Sequence, residues 1–356
     1  MLKRLTTFVV LLLISNYCFS QSDSAAQFKV SGYLETYYSY DFLKPTTTPK
    51  PDYNYNYKNH NQLSVNLAFV KANYTSKKFR SNLALMVGDY AKYNLSAEPG
   101  WAKPLFEANV GFKPFKQHAI WIDAGVMPSH LGFESAIGGD CYNVTRSILA
   151  ENSPYYESGL RVSYTDPKEN LYVALLVLNG WQKIQMPTSN FTPSLGVQIN
   201  YKAAKNLTLN YSNFIGNINL DPINAFRTFH NLYAIYEATE RSSFIVGFDI
   251  GTQKSKQTNT AIWYTPVIIS KIKLNQKHTI AGRIEYYHDK NEIIIPTATL
   301  NGYQTFGASV NYDYQILPQM LWRAELKRYS SKDPIFKYAQ QHGNHTAATI
   351  AFIVRL

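Results

Sequence analysis

The sequence predicts an all-β fold: a transmembrane, up-and-down antiparallel β-barrel of about sixteen strands, with fourteen or eighteen strands as near alternatives. Three observations predict this class. Apolar and polar residues alternate in about sixteen strand-sized segments, short and long connections alternate between them, and the sequence ends on such a segment. In that last segment Ala348, Ile350, Phe352 and Leu356 share one apolar face. A barrel needs a last strand of this kind, because an unpaired strand would leave an open edge in lipid.

The first twenty residues have the pattern of an export signal. Lys3 and Arg4 precede an apolar run at 8–14 that is too short to span a bilayer. Small or polar residues follow, and they predict cleavage after Ser20. No later stretch is apolar enough for a transmembrane helix, and the mean hydropathy is −0.26.

Composition and charge narrow the function classes. The predicted mature chain, 21–356, is one domain whose only cysteine is Cys141, so a disulfide framework is excluded. Its formal charge is +9, because Lys3 and Arg4 are removed from a total of +11. The chain has no Lys/Arg-rich run and no nucleic-acid motif, so we expect no nucleic-acid partner. A pore lining that attracts anions explains the excess of basic over acidic residues better.

The first predicted strand, 28–42, shows the alternation clearly. Phe28 and Leu34 lie on one face, and Glu35 and Asp41 lie on the other. A face that polar would be costly in a dry core but suits a water-filled lumen. The other predicted strands are 63–74, 79–90, 105–112, 118–127, 156–164, 171–181, 195–201, 207–217, 226–237, 243–251, 260–272, 278–288, 303–314, 320–329 and 345–356.

In 105–112, Phe106 and Val110 are predicted on the apolar face, opposite Glu107. The segment 260–272 is apolar on both faces and contains Pro266, so its register is left open.

The connections separate a barrel from a secreted β-sandwich. The short ones are 75–78, 113–117, 165–170, 202–206, 238–241, 273–277 and 315–319. The others are mostly longer: 43–62, 91–104, 128–155, 182–194, 218–225, 252–259, 289–302 and 330–344. Strict alternation of this kind is typical of outer-membrane barrels with tight periplasmic turns, whereas a sandwich has no reason for it.

The longest connection, 128–155, is predicted to fold into the barrel and to narrow the pore, with a solvated external loop as the alternative. Loops of this length are usually functional, and several apolar residues in it need burial. Facing acids and bases there would set a transverse field and a size limit. The predicted constriction residues are His130, Glu134, Asp140, Arg146 and Glu151.

Charged residues recur on the polar faces of the predicted strands. Their i, i+2 spacing places each set on one side of its strand. In a barrel that side is the lumen, whereas in a soluble sandwich it would be a solvated surface. The predicted pore-lining residues are Glu35, Arg80, Glu157, Arg161, Arg283, Glu285, Arg323, Glu325 and Lys327. The slight excess of basic over acidic residues on this face predicts a mild anion preference that fades at high salt.

Several short motifs resemble a known family. They are the stretch 124–147 with Pro128, Gly132, Glu134, Asn143, Arg146 and Ser147; Gly159 with Arg161; 283–287 with Asp289; and 321–325 followed by Ser331, Asp333 and Phe336. Together they resemble the putative β-barrel porin family of Bacteroidota outer membranes, an OmpL-like outer-membrane barrel. Asn291, where a glycine is usual, and the terminal Leu356, where an aromatic is usual, depart from the pattern. The resemblance covers essentially the whole mature chain and implies a barrel with a transport role.

We therefore predict a bacterial outer-membrane porin for diffusion of small hydrophilic solutes. A non-conducting adhesin or scaffold is the alternative, and an outer-membrane hydrolase is a weaker one. The chain lacks the common hydrolase and metalloprotease motifs, although His230 and Ser212 lie on neighbouring predicted strands in an unknown register. We predict no cofactor and no metal. The expected partners are outer-membrane lipid, small solutes and the barrel-assembly machinery, with the oligomeric state left open.

Overall fold

The computed structural model describes residues 26–45, 50, 53–186, 192–218, 226–254, 260–337 and 341–356. Within them, sixteen antiparallel strands close into one barrel. These strands are β1 (Gln27–Asp41), β2 (Leu63–Thr75), β3 (Phe79–Val87), β4 (Leu105–Phe112), β5 (Ile120–Pro128), β6 (Tyr156–Thr165), β7 (Leu171–Leu178), β8 (Ser194–Ala204), β9 (Leu207–Asn217), β10 (Phe226–Glu237), β11 (Ser242–Gln253), β12 (Ala261–Lys273), β13 (His278–Asp289), β14 (Tyr303–Leu317), β15 (Met320–Ser331) and β18 (Asn344–Arg355). Two short strands, β16 (Phe336–Lys337) and β17 (Gln341–His342), form a small separate hairpin.

The first and last strands close the barrel. β1 pairs with β18 from Tyr33 opposite Arg355 to Asp41 opposite Ala347, and its other edge pairs with β2. Every other barrel strand pairs with its neighbours in sequence order. No strand edge is left open, as a bilayer requires. The predicted sixteen-stranded barrel is therefore confirmed.

Strand bounds follow the sequence patterns closely. The segment with Pro266, whose register was open, is β12. Pro266 lies opposite Phe248 of β11 and points outward, where it is exposed. The ladder to β13 skips Thr265 and Pro266 and then resumes in the same register at Val267. Proline is tolerated here because its missing N–H interrupts only one ladder.

The two faces of the strands separate as predicted, with one exception. On β13, Ile284 is exposed on the outside, whereas Arg283 and Glu285 are buried on the inside. The exception is Phe106, which was predicted on the outer apolar face. A bulge between β3 and β4 shifts the register there, and Phe106 is buried against Phe69 with ring centroids 4.9 Å apart. A bulge adds one residue to a strand and turns it towards the other face.

The barrel has two different ends. The short connections (76–78, 113–119, 166–170, 205–206, 238–241, 274–277 and 318–319) lie at one end, here called the turn end. The longer connections lie at the opposite end, here called the loop end. In the described residues the helices are single turns at Tyr90–Asn94, Gly138–Asp140 and Ile148–Glu151. No helix in this part of the chain is long and apolar enough to cross a membrane. The predicted export signal lies outside the described residues.

Candidate functional site

The connection between β5 and β6, residues 129–155 and here called the long loop, runs inside the barrel. Its backbone N–H groups donate to inward-facing side chains on three separate parts of the wall. Gly132 N donates to Asn231 Oδ1 at 3.1 Å, and Val144 N donates to Asn311 Oδ1 at 3.0 Å. The loop therefore crosses the lumen, in the geometry that an inward-folded loop requires.

Arg323 of β15 holds the middle of the long loop. Its Nε and Nη2 donate to the two carboxylate oxygens of Asp313 at 2.7 and 2.9 Å. The other donor directions reach loop carbonyls: Nη1 binds Gly138 O at 2.7 Å, and Nη2 binds Cys141 O at 3.0 Å. Nη2 also binds Tyr142 O at 2.9 Å. Arginine suits this position because its planar fork presents five donors at once.

Arg283 and two glutamates hold the next part of the loop. Arg283 lies 3.2 Å from Glu285 and 3.2 Å from Glu325, and its Nη1 donates to Thr145 O at 2.7 Å. The glutamates use their second oxygens as acceptors. Glu325 binds Thr145 N at 2.5 Å, and Glu285 binds Ile148 N at 2.5 Å. Each charge is thus paired and also bonded to the loop backbone, which a buried ion pair needs.

Lys327 and Arg146 complete this arrangement. Lys327 Nζ donates to Arg146 O at 2.9 Å. The guanidinium of Arg146 turns back on its own loop and donates to the carbonyls of Ser135, Ala136 and Val144 at 2.6, 3.0 and 2.8 Å. Arg146 is fully buried. We call the contacts of Arg283, Arg323 and Lys327 with the loop the β13–β15 clamp.

The acids predicted opposite Arg146 have other partners. Glu134 accepts from Ser147 N at 2.9 Å and from the Ser147 hydroxyl, and it lies 3.6 Å from Arg283. Asp140 remains exposed and lies 2.8 Å from Arg355, at the far end of β18. Glu151 binds the connection between β1 and β2, here called the first long loop, and accepts from Tyr55 N at 2.6 Å.

His130 and Glu157 anchor the start of the long loop. His130 Nδ1 lies 2.7 Å from Glu157, and its Nε2 lies 2.7 Å from Asn213 O on β9. Both side chains are buried. These contacts hold the start of the loop to β6 and β9, which both lie on the β6 side of β5.

Glu35 anchors the first long loop from β1. Its oxygens accept from the Tyr57 hydroxyl at 2.8 Å and from Asn66 Nδ2 at 3.0 Å. Gly138 lies directly against this carboxylate, which a Cβ at that position would overlap. Gly132 serves differently, because its φ of +88° belongs to the left-handed region that favours glycine.

All nine residues predicted as pore-lining lie at inward-facing positions, but most of them are bonded rather than open to solvent. Seven are buried, with at most 6 % exposure: Glu35, Glu157, Arg283, Glu285, Arg323, Glu325 and Lys327. Only Arg80 and Arg161 keep accessible side chains, at 30 % and 22 %. The sequence alone did not show this difference.

The two accessible charges among these nine lie on the opposite wall, towards the turn end. Arg80 binds both oxygens of Asp123, at 2.7 and 2.5 Å, and Arg161 lies 3.4 Å from the same carboxylate. Lys71 lies 2.6 Å from Glu107. Asp123, Glu107 and Lys71 were missed as site residues, although each lies on the inward face of a predicted strand.

Two cavities lie beside the long loop. The inner one is on this same wall, and the outer one is at the loop end, where Arg227, Ile293 and Ile294 also border it. The outer cavity, about 280 Å³, is bordered by Tyr93, Trp181 and Glu151 at the loop end. The inner cavity, about 200 Å³, lies between the loop and β4 and reaches Glu107. Tyr156 borders both, and its hydroxyl donates to Glu98 at 3.0 Å. Apolar side chains fill much of the remaining lumen at the loop end, including a cluster of Tyr53, Trp263, Tyr287, Tyr303, Tyr329 and Phe336.

The pair considered for hydrolysis is not assembled. His230 lies opposite Asn213, and Ser212 lies opposite Asn231. Ser212 is fully buried on the inner face, whereas His230 is on the outer face and contacts the Tyr211 hydroxyl at 2.8 Å. The two side chains point to opposite sides of the sheet, because the register places them on alternate positions.

A closed sixteen-stranded barrel with an internal loop and charged walls is the architecture of a porin. Comparison with known proteins agrees. The sequence model of the family described as "Putative beta-barrel porin-2, OmpL-like" matches residues 27–356. The chain belongs to this family, and it is a porin of the bacterial outer membrane. The predicted family is thus confirmed, while an origin in Bacteroidota stays a prediction.

Solved structures share the fold at low identity. The chain is similar to an anion-selective porin from Comamonas acidovorans, with a TM-score of 0.64, 8% identity, and coverage of 93% of this chain and 100% of that one. It is similar to the outer membrane channel DcaP of Acinetobacter baumannii, with a TM-score of 0.63, 8% identity and coverage of 94% and 99%. It is also similar to the trimer form of OmpT from Vibrio cholerae, with a TM-score of 0.59, 10% identity, and coverage of 94% of this chain and 100% of that one. Among curated proteins, no sequence matches the chain significantly.

Proposed function

We propose that small hydrophilic solutes diffuse through this porin along the β3–β6 wall, beside the long loop, and not through a wide central opening. The observation that carries the proposal is the pair of cavities beside the loop, about 280 and 200 Å³, both bordered by Tyr156. On the opposite wall the β13–β15 clamp holds the loop, and the inner cavity lies on the β4 side of the loop. In this proposal the long loop narrows the pore, and Tyr156 marks the narrowest step.

The route continues to the turn end past three bases. Glu107 borders the inner cavity and pairs with Lys71, and Arg80 and Arg161 lie further along the wall with Asp123. We take the turn end as periplasmic, because outer-membrane barrels have short periplasmic turns. Outer-membrane lipid covers the apolar outer face. The barrel-assembly machinery and an oligomeric state stay predictions, and the proposed role is transport, not catalysis.

The same wall supports a mild anion preference. In each ion pair the base is the accessible member and the acid is the buried one: Lys71 is 23 % exposed and Glu107 7 %, whereas Arg80 is 30 % exposed and Asp123 2 %. Arg161 adds a second base to Asp123. A passing solute therefore meets three bases against two shielded acids, and the field at close range is positive.

Planar-bilayer recording tests this function. The parent protein is expected to form channels whose reversal potential in a KCl gradient shows a mild anion preference. The preference should fade at about 1 M salt, where the screening length is about 3 Å. Lys71→Gln with Arg161→Gln should move the reversal potential towards zero. Lys332→Gln, which removes an exposed charge in a loop, is the matched control and should change nothing.

Strong cation selectivity of the parent would contradict the charge assignment of this wall. Complete absence of conductance in a folded, heat-modifiable barrel would contradict transport and would favour the non-conducting surface protein. Arg146 and Arg323 are poor sites for a selectivity test, because both guanidinium groups are consumed by loop carbonyls.

A further inference from the structure

The outer cavity has the features of a binding site and not only of a passage. It lies between the long loop, the helical turn Tyr90–Asn94 and the segment after β7, and its volume is about 280 Å³. Three half-buried aromatic side chains border it: Tyr55, Tyr93 and Trp181. Small-molecule sites typically combine such apolar and aromatic walls with a few placed polar groups.

One polar group in this cavity has no protein partner. Asn94, the last residue of the helical turn, is 6 % exposed. Its backbone carbonyl accepts from Gln182 Nε2 at 3.3 Å. Its side-chain Nδ2, however, is a buried donor without an acceptor among the described residues. Unsatisfied buried donors are costly and uncommon, so such a donor at the edge of a cavity points to an acceptor that a solute supplies.

Two of the three charged groups around the cavity are already engaged. Glu151 accepts from Tyr55 N and Asn56 Nδ2 at 2.6 and 3.1 Å. Arg227 donates to Gln253 at 3.0 and 2.6 Å, and its guanidinium lies 4.6 Å from the Trp181 ring centroid. Lys183 is the remaining charged residue of the wall, and it lies half-buried. The charges of Glu151 and Arg227 are thus committed, and Asn94, Lys183 and the aromatic rings remain as recognition groups.

We propose that the outer cavity binds a neutral saccharide of one or two rings, with a sugar oxygen accepting from Asn94 Nδ2 and the sugar C–H faces packing on the aromatic side chains. This proposal rests on the proposed function, since it names the solute class that enters the same route. A hydroxyl-rich neutral ring uses both the neutral donor and the aromatic walls, whereas a compact anion would leave the aromatic walls unused.

Binding to the refolded protein in detergent is the direct test. The probes are glucose and maltose, measured by titration calorimetry, with citrate as the anionic comparison. The parent should bind at least one of the two sugars more tightly than citrate. Asn94→Ala should weaken that binding about three- to tenfold, as expected for one net hydrogen bond. It should leave thermal stability unchanged, because the removed donor has no partner in the protein.

Controls separate recognition from folding. Asn170→Ala, at an exposed position of a short connection at the turn end, should change neither sugar affinity nor stability. Tyr93→Ala should weaken sugar binding, and Tyr93→Phe should restore most of it, because the ring is kept. A clear stability loss in Asn94→Ala with unchanged sugar affinity would show a structural role and overturn the proposal. Tighter binding of citrate than of either sugar would overturn it as well.

Measurements of ion conductance distinguish a failure of this binding site from a failure of the proposed transport function on which it rests. In bilayers, maltose added on the loop side should reduce the KCl current of the parent but not that of Asn94→Ala at the same concentration. Normal KCl conductance without sugar binding would refute the site and leave the porin function standing. Sugar binding without any conductance would refute the transport route and leave the site standing.

Discussion

Removing Arg323 should release the long loop, and the effect can be calculated from its contacts. Arg323→Ala deletes two bonds to Asp313 and four to the carbonyls of Gly138, Cys141, Tyr142 and Asn143, at 2.7–3.3 Å. Breaking a buried pair by removing one partner costs about 3–5 kcal/mol. Since about 1.4 kcal/mol corresponds to tenfold in population, the open state of the loop should become at least about 100-fold more populated.

Cys141 is a built-in reporter of this opening. It is buried, and burial raises the pKa of its thiol to about 11, so a thiol reagent reacts poorly while the loop is seated. At low reagent concentration the labelling rate follows the open population. The rate in Arg323→Ala should therefore exceed that of the parent by about 100-fold or more, and Arg323→Lys, which keeps one charge without the fork, should fall between them.

Matched variants make this experiment decisive. Arg328→Ala removes an arginine of the same strand that is exposed on the outer face, and it should leave the labelling rate unchanged. Leu300→Cys in a Cys141→Ser background places the thiol at a position 91% exposed and should label at full rate with or without Arg323. If Arg323→Ala gives a folded, heat-modifiable barrel whose Cys141 labels within twofold of the parent, the clamp does not hold the loop.

Two further predictions concern the route and the loop. Tyr156→Ala should raise single-channel conductance, because the ring borders both cavities and its removal would widen the space between them, whereas Tyr156→Phe keeps the ring and should leave conductance near the parent value. Equal conductance of the two variants would place the narrowest step elsewhere. Gly138→Ala should lower the free energy of unfolding by about 1–3 kcal/mol, since the added Cβ overlaps the Glu35 carboxylate. Gly100→Ala, with open space around it, is the control for thermal unfolding and should show no loss from overlap.

The strands and their faces could be predicted from sequence because both depend on local periodicity. β4, β9 and β10 begin and end at the predicted residues. Phe106 was misplaced because a bulge is a non-local feature: it depends on how β3 and β4 pair, and the residues of β4 alone keep a regular alternation.

The role of the inward charges could not be predicted in the same way. Arg161 and Arg323 both occupy inward positions on strands with alternating patterns, yet one is 22% exposed and the other is almost fully buried. The difference is the course of the long loop, which covers β13–β15 and leaves β6 open. That course is fixed by contacts far apart in sequence, such as Arg323 with Gly138, which no local pattern encodes.

The long loop can fill a lumen lined with charged side chains because those charges balance one another. Four bases and four acids meet at the clamp: Arg146, Arg283, Arg323 and Lys327 with Glu134, Glu285, Asp313 and Glu325. Equal numbers leave no net charge to bury, and the loop backbone supplies the remaining donors and acceptors that buried charges need. A clamp without net charge adds little field to the lumen. Selectivity then depends on the charges that the loop leaves uncovered, and these include Lys71, Arg80 and Arg161 on the opposite wall.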